Sequence, residues 1–214
     1  MKFHSLGARL NPNEEDDMTH AFWRIWRTRS IVTALALAAS APLALAQGAP
    51  EVYNATASLK TAAGVSITAP VVISISGWTT DGDREKAVGA LKAGGTAALR
   101  KQLAAVPDVG FLQVGQVKTP LRFARTLPVG DGKLVTLATA QPVFHIGGGA
   151  PDAKPTEKAG YDVAVVIFQV DAGGKGEVGD FSPAAKVKFD ERGALIVEDY
   201  AAEAVRLTGI TKKK

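Results

Sequence analysis

Side chains that could carry chemistry are few in this 214-residue chain. It has no cysteine and three histidines, of which only His145 follows residue 46. The lack of cysteine excludes thiol nucleophiles, thiolate metal sites and disulfides. A lone histidine can act as a general base, and Asp162 is a carboxylate that could assist it. Zinc would need further ligands of the same kind, so we predict no metal and no cofactor.

The segment from Gly174 to Gly179 matches the pattern G-x-G-x-x-G and follows a predicted strand. That pattern binds a pyrophosphate only where a helix begins inside the glycines. Here strand-like residues 186–189 follow instead. We therefore predict a flexible hairpin turn and no dinucleotide site.

Acidic residues occur in two small groups. Asp81, Asp83 and Glu85 alternate beside a predicted helix start, where negative charge complements the helix N-terminus without a metal. Glu198 and Asp199 are adjacent on a predicted strand, so they point to opposite faces and cannot both flank one bond. Neither group predicts a catalytic pair.

Two aromatic residues, Trp78 and Tyr200, are the remaining candidates for ligand contact, together with His145. Trp78 falls where a predicted strand gives way to a helix, so its ring could instead close the core. Both alternatives stay open.

The rest of the chain must position these residues, and its most informative stretch is residues 161–171. Both alternating sets of side chains in it are apolar, and the run is short and rich in β-branched residues. Such a run is typical of a strand that is buried on both faces. We predict a central strand that needs a cover on each side.

One helical insertion is predicted, at about residues 80–106. Thr80 can cap it, with Asp83 three residues later. Apolar residues at helical spacing form a stripe that includes Gly95, Leu99 and Leu103. Gly94 and Gly95 divide the segment into two short helices or one bent helix. We expect this insertion to cover one face of the central strand.

Period-two alternation predicts the other strands. They are residues 52–60, 65–76, 111–117, 121–127, 134–140, 142–146, 185–189, 194–200 and 204–210. The first two form a predicted hairpin, and residues 130–132 form a second hairpin turn. The fold class is α+β and mainly antiparallel β. It is a curled sheet, a barrel or a sandwich of about 8–10 strands, with one helical insertion covering a face.

The N-terminal region predicts export. Residues 18–46 combine arginines, an apolar run and a small-x-small site at residues 44–46, which is the pattern of a secretory signal peptide. Residues 1–17 are polar and acidic, so we expect translation to begin at Met18. Residues 47–214 are then a single exported β-rich domain that is secreted or periplasmic, with no membrane span after signal cleavage.

Residues 65–210 resemble a family of uncharacterised secreted bacterial proteins. The resemblance lies in residues 78–81 with Arg84, in residues 90–95 with residues 98–99, and in residues 193–200 with 205–207. It implies export and one compact domain, and it assigns no activity and no functional residues.

These observations favour a non-enzymatic exported domain that binds a small apolar ligand, in a barrel mouth for example, or a protein partner of the cell envelope. A hydrolase that uses His145 with a carboxylate such as Asp162 is one alternative, and a structural envelope protein is another. The net charge of +4 is small. The sequence has no basic stripe with interleaved aromatic residues, so we predict no nucleic-acid binding.

Overall fold

The first two strands form a hairpin because alternate residues are apolar. In the computed structural model, which describes residues 49–60, 66–143, 159–201 and 205–214, β1 (Glu51–Lys60) pairs antiparallel with β2 (Ser66–Ile75). Ala57 and Val71 are among the side chains buried on the inner face. Pro70 is exposed, just beyond the point where the next strand stops pairing, which is where the ladder tolerates a missing N–H.

One helix and seven further strands follow in the described residues. They are α1 (Asp81–Ala104), β3 (Gly110–Val114), β4 (Val117–Val129), β5 (Gly132–Thr139), β6 (Val163–Val170), β7 (Lys175–Phe189), β8 (Leu195–Tyr200) and β9 (Val205–Lys212). The predicted turn at residues 61–64 and most of the predicted strand at 142–146 lie outside the described residues, as do residues 1–46. Within the described residues, no helix has the length and apolar character to cross a bilayer.

The sheet closes into an antiparallel barrel of eight strands. Each strand from β1 to β7 pairs with the next, β7 pairs with β9, and β9 returns to β1. The remaining strand, β8, pairs with the end of β7, and the two extend from the barrel as a two-stranded ribbon. The fold-class prediction is confirmed, and the barrel is the form that the sheet takes.

The barrel interior is filled with side chains. Tyr53, Phe168 and Phe181 are at most 1% exposed, and the rings of Tyr53 and Phe168 meet edge to face with centroids 5.1 Å apart. Aliphatic residues from the other seven strands of the barrel complete this cluster, and β7 contributes Phe181. An eight-stranded barrel is narrow enough for side chains alone to fill it.

A second apolar cluster lies outside the barrel wall, under α1. Leu99 and Leu103 of the helix pack with Val163 and Val165 of β6, while Phe168 of the same strand points into the interior. The prediction that β6 is buried on both faces, with the helical insertion as one cover, is therefore confirmed.

The N-terminus of α1 follows the predicted cap. The Asp83 backbone N–H donates to Thr80 Oγ1 at 3.1 Å, and the Thr80 hydroxyl donates to the Asp83 carboxylate at 2.8 Å. Asp81 forms ion pairs with Arg125 at 2.7 Å and with Arg84 at 3.8 Å. The two carboxylates thus serve the helix start, as their positions in the sequence predict.

The helix bends at Gly94 and Gly95, as predicted. Gly95 has φ 67° and ψ −160°, a conformation that only glycine adopts readily. The predicted apolar stripe needs one correction. Gly95 is exposed, and Ala87 is the residue that the first half of the helix buries.

The glycines from Gly174 to Gly179 correct another expectation. The turn occupies only residues 172–174, and the strand begins at Lys175 and pairs on both sides. A Cβ at Gly176 would lie 2.3 Å from the Gln169 carbonyl oxygen, and one at Gly179 would lie 2.7 Å from Phe168 Cβ. These glycines therefore allow β6 and β7 to approach closely, and the prediction of a flexible turn over the whole segment is wrong.

Candidate binding groove

Trp78 lies on the outside of the barrel and is 39% exposed, so its ring does not close the core. Lys133 Nζ lies 5.3 Å from the ring centroid, a cation–π arrangement. Trp78 also borders a shallow cavity of about 310 Å³, together with Asp108 and Arg122. That pair is already joined by an ion pair of 2.9 Å, which leaves the cavity little unpaired charge with which to hold a ligand.

Tyr200 lies at the other end of the barrel wall. It ends β8, pairs with Ala185 and is 39% exposed. Partial burial, and then the nearby charge of Asp180, raise the pKa of its phenol. Ala185 pairs with Val163 at the start of β6, whereas Lys133, which contacts Trp78, pairs with the last residue of β6. Trp78 and Tyr200 therefore do not form one binding surface.

The third predicted site residue, His145, lies outside the described residues. Its proposed partner Asp162 is described, and its side chain is 18% exposed and lies 3.6 Å from Arg100. Asp162 Oδ2 is buried and accepts no hydrogen bond from the described residues. Among those residues, no three histidine, aspartate or glutamate side chains are grouped so that they could hold a metal.

A charged cluster closes the end of the barrel near Trp78. Glu51 accepts hydrogen bonds from Tyr53 and Lys133, both at 2.7 Å, and lies 3.3 Å from Lys212. Burial alone would raise the pKa of Glu51, but the hydrogen bonds from Lys133 and Tyr53 outweigh it and lower that pKa. Burial and the adjacent carboxylate raise the pKa of Tyr53. A small cavity of about 280 Å³ adjoins this cluster. The charged groups of the cluster already form ion pairs with one another.

An open groove of about 470 Å³ lies between α1 and the β7–β8 ribbon. We call it the α1–β7 groove. Val88, Leu91 and residues 94–97 line its helix side, and residues 186–189 with Glu198 line its ribbon side. The bend at Gly94 and Gly95 shapes the helix wall, because four successive residues at the bend border the groove.

The groove combines an apolar floor with a basic rim. Val187 and Phe189 contribute to the apolar cluster under α1, and their neighbours Lys186 and Lys188 are exposed. Lys92 adds a third cation from the helix, and Glu198 is the one carboxylate among the lining residues, so positive charge predominates. None of the ion pairs among the described residues involves these three lysines. An apolar group with negative charge at its edge fits this surface.

Sequence reasoning did not find the α1–β7 groove. It identified the glycine bend and the alternation of Lys186, Val187, Lys188 and Phe189 as features of separate elements. Nothing local indicates that the two elements face each other, because their contact depends on how the ribbon folds back over the helix.

No family model matches this chain, and no curated protein or solved structure matches it either. The resemblance to secreted bacterial proteins therefore stays a prediction.

Proposed function

We propose that this protein is a non-enzymatic exported binding domain and that the α1–β7 groove is its binding site. The observation that carries the proposal is the division of the apolar surface. The barrel interior is filled by its own side chains, while the groove of about 470 Å³ is open and has apolar walls. A cleft of this size with a few polar groups at its edge is typical of ligand sites.

This proposal moves the expected site from the barrel mouth to the outer wall. The described barrel mouth near Lys212 carries the paired charges of Glu51 and Lys133, which suit an apolar ligand poorly. Trp78 and Tyr200 are not among the residues that line the groove.

Export is part of the proposal and is supported by the sequence of residues 18–46. The lack of cysteine is compatible with an exported domain, since a barrel with two apolar clusters does not need disulfides. Fractionation of cells that express the full chain tests this point. Recovery of the chain in the cytoplasm, uncleaved at residue 46, would contradict it.

Binding to the groove is tested with 1-anilinonaphthalene-8-sulfonate, an apolar anionic dye whose fluorescence rises in apolar sites. We expect saturable binding to the folded protein. Ala97→Trp fills the groove from an exposed position on its helix wall and should weaken binding at least about fivefold. Ala104→Trp, on the same helix but away from the groove, is the matched control.

Two outcomes would refute the groove as the site. One is no saturable dye binding to the wild-type protein, and the other is equal binding by both tryptophan variants. Equal unfolding temperatures of the two variants would exclude misfolding as the cause of any difference.

A hydrolase that uses His145 with Asp162 is the second candidate. One observation favours it, since the buried Asp162 Oδ2 accepts no hydrogen bond from the described residues and such atoms are uncommon. The test is ester and peptide hydrolysis by the wild type and by His145→Ala. Equal rates for the two proteins would eliminate this candidate. A structural envelope protein without a ligand is the third, and the dye experiment separates it from the first.

A further inference from the structure

The ribbon side of the α1–β7 groove includes one edge of β7. Four consecutive residues of β7, 186–189, line the groove. Gly160, which lies three residues before β6, also lines it, so the groove reaches the side of β7 that faces β6. β7 pairs there with β8 on one side, and its pairing with β6 on the other side ends at Ala185.

Among the described residues, this edge of β7 has backbone groups with no strand partner. In an antiparallel pair every second residue directs its N–H and C=O away from the partner strand. Within the described residues, no hydrogen bond reaches residues 186–189 from the side of β6. Such an edge is a template for one more strand.

We propose that the α1–β7 groove binds an extended peptide segment of a partner protein, which adds to β7 as an extra strand. The inference rests on the proposed function, since it names the class of ligand for the same groove. Residues 186–189 give the added strand a paired length of about 14 Å at about 3.4 Å per residue, so the core of the recognised segment has about four residues.

The side chains of β7 specify the chemistry of that segment. Val187 is buried towards α1 and Phe189 is half-buried, so residues opposite them should be apolar. Lys186 and Lys188 are exposed on the other face and take no part in the ion pairs of the described residues. Residues opposite them should be acidic, because opposite charges on facing residues of neighbouring strands attract. The expected segment therefore alternates acidic and apolar residues.

The probe is a pool of fluorescein-labelled hexapeptides in which glutamate alternates with valine, leucine or phenylalanine. Binding to the full chain is measured by fluorescence anisotropy. Two matched pools carry N-methyl groups, one on the amides of the glutamates and the other on the amides of the apolar residues. Each modified pool therefore lacks the backbone N–H donors along one edge of the peptide. We expect the unmodified pool to bind. One of the two N-methylated pools should bind at least about tenfold more weakly.

Variants locate the contact. Ala97→Trp should weaken binding of the pool at least about fivefold, and Ala104→Trp should leave it unchanged. Lys188→Glu should weaken binding of the acidic pool and improve binding of a pool with lysine in place of glutamate. Equal affinity of all the N-methylated and unmodified pools would overturn strand addition.

The dye experiment keeps this failure distinct from failure of the proposed function. If the dye binds in the groove and is displaced by none of the peptides, the groove is a small-molecule site and the peptide inference is wrong. If neither the dye nor any peptide binds, both proposals fail. If peptides bind equally to Ala97→Trp and to the wild type, they bind elsewhere and the inference is again overturned.

Discussion

Phe168→Ala tests whether the barrel interior is core or ligand space, on which the position of the binding site depends. Phe168 is 1% exposed and packs edge to face with Tyr53 at a centroid distance of 5.1 Å. Truncation of a fully buried phenylalanine costs about 3–5 kcal/mol, because it removes apolar contacts and leaves a cavity. About 0.5–1.5 kcal/mol of that belongs to the ring pair. We expect the free energy of unfolding to fall by about 3–5 kcal/mol.

The assay is urea denaturation of the purified protein, followed by tryptophan fluorescence and circular dichroism. Phe111→Ala is the matched control, since this ring is only partly buried and lies 4.6 Å from Lys118 Nζ. It should cost about 1–2 kcal/mol. If Phe168→Ala does not fold, Phe168→Leu, with an expected cost of about 1–2 kcal/mol, replaces it.

A loss below about 1 kcal/mol for Phe168→Ala, with an unchanged dependence on urea, would refute the reasoning, since buried phenylalanines in filled cores cost more. It would mean that the interior already tolerates empty space. The barrel mouth would then return as the binding site in place of the α1–β7 groove.

Two further predictions concern the charged cluster around Glu51 and the bend of α1. Glu51→Gln should lower the free energy of unfolding by about 1–3 kcal/mol at pH 7, because Lys133 loses a charged hydrogen-bond partner. Since the folded pKa of Glu51 lies below its usual value of 4.5, its contribution is present above that value and disappears as the pH falls through the folded pKa. Urea titrations from pH 7 to pH 3 should therefore show wild type and variant converging, and Glu85→Gln, at an exposed position, should differ little throughout. A constant difference between wild type and Glu51→Gln would contradict this. Gly95→Ala should cost about 1–3 kcal/mol, because the left-handed backbone at the bend disfavours a Cβ. Gly89→Ala, with nothing within 4 Å of the new Cβ, should instead stabilise the protein by about 0.5–1 kcal/mol. Thermal unfolding of both variants measures these changes. Unfolding temperatures that shift in the same direction for both variants would contradict the prediction.

Local features of the fold could be predicted because their physical causes are local. The apolar residues on both faces of β6 require two covers whatever the topology. The cap at Thr80 and the bend at Gly94 and Gly95 depend on backbone groups within a few residues. The hairpin of β1 and β2 follows from alternation and a short connection.

The part of β7 that contains Gly176 and Gly179 could not be predicted in the same way. The sequence pattern there indicates a turn, since glycines are common in turns. Their actual cause is the approach of β6, whose Gln169 carbonyl leaves no room for a side chain at Gly176. Gln169 comes from a neighbouring strand, and contact with it exists only once the strands have paired.

The sequence by itself determined that this chain forms a mainly antiparallel β fold with one bent, capped helix over a doubly buried strand. Only the tertiary structure decided that the sheet closes, because closure requires β9 to pair with β1, which is distant from it in the sequence. In that pair Thr56 lies opposite Thr208. It also decided where a ligand could bind. The α1–β7 groove exists because the ribbon of β7 and β8 folds over the helix, and no pattern within either element encodes the space between them.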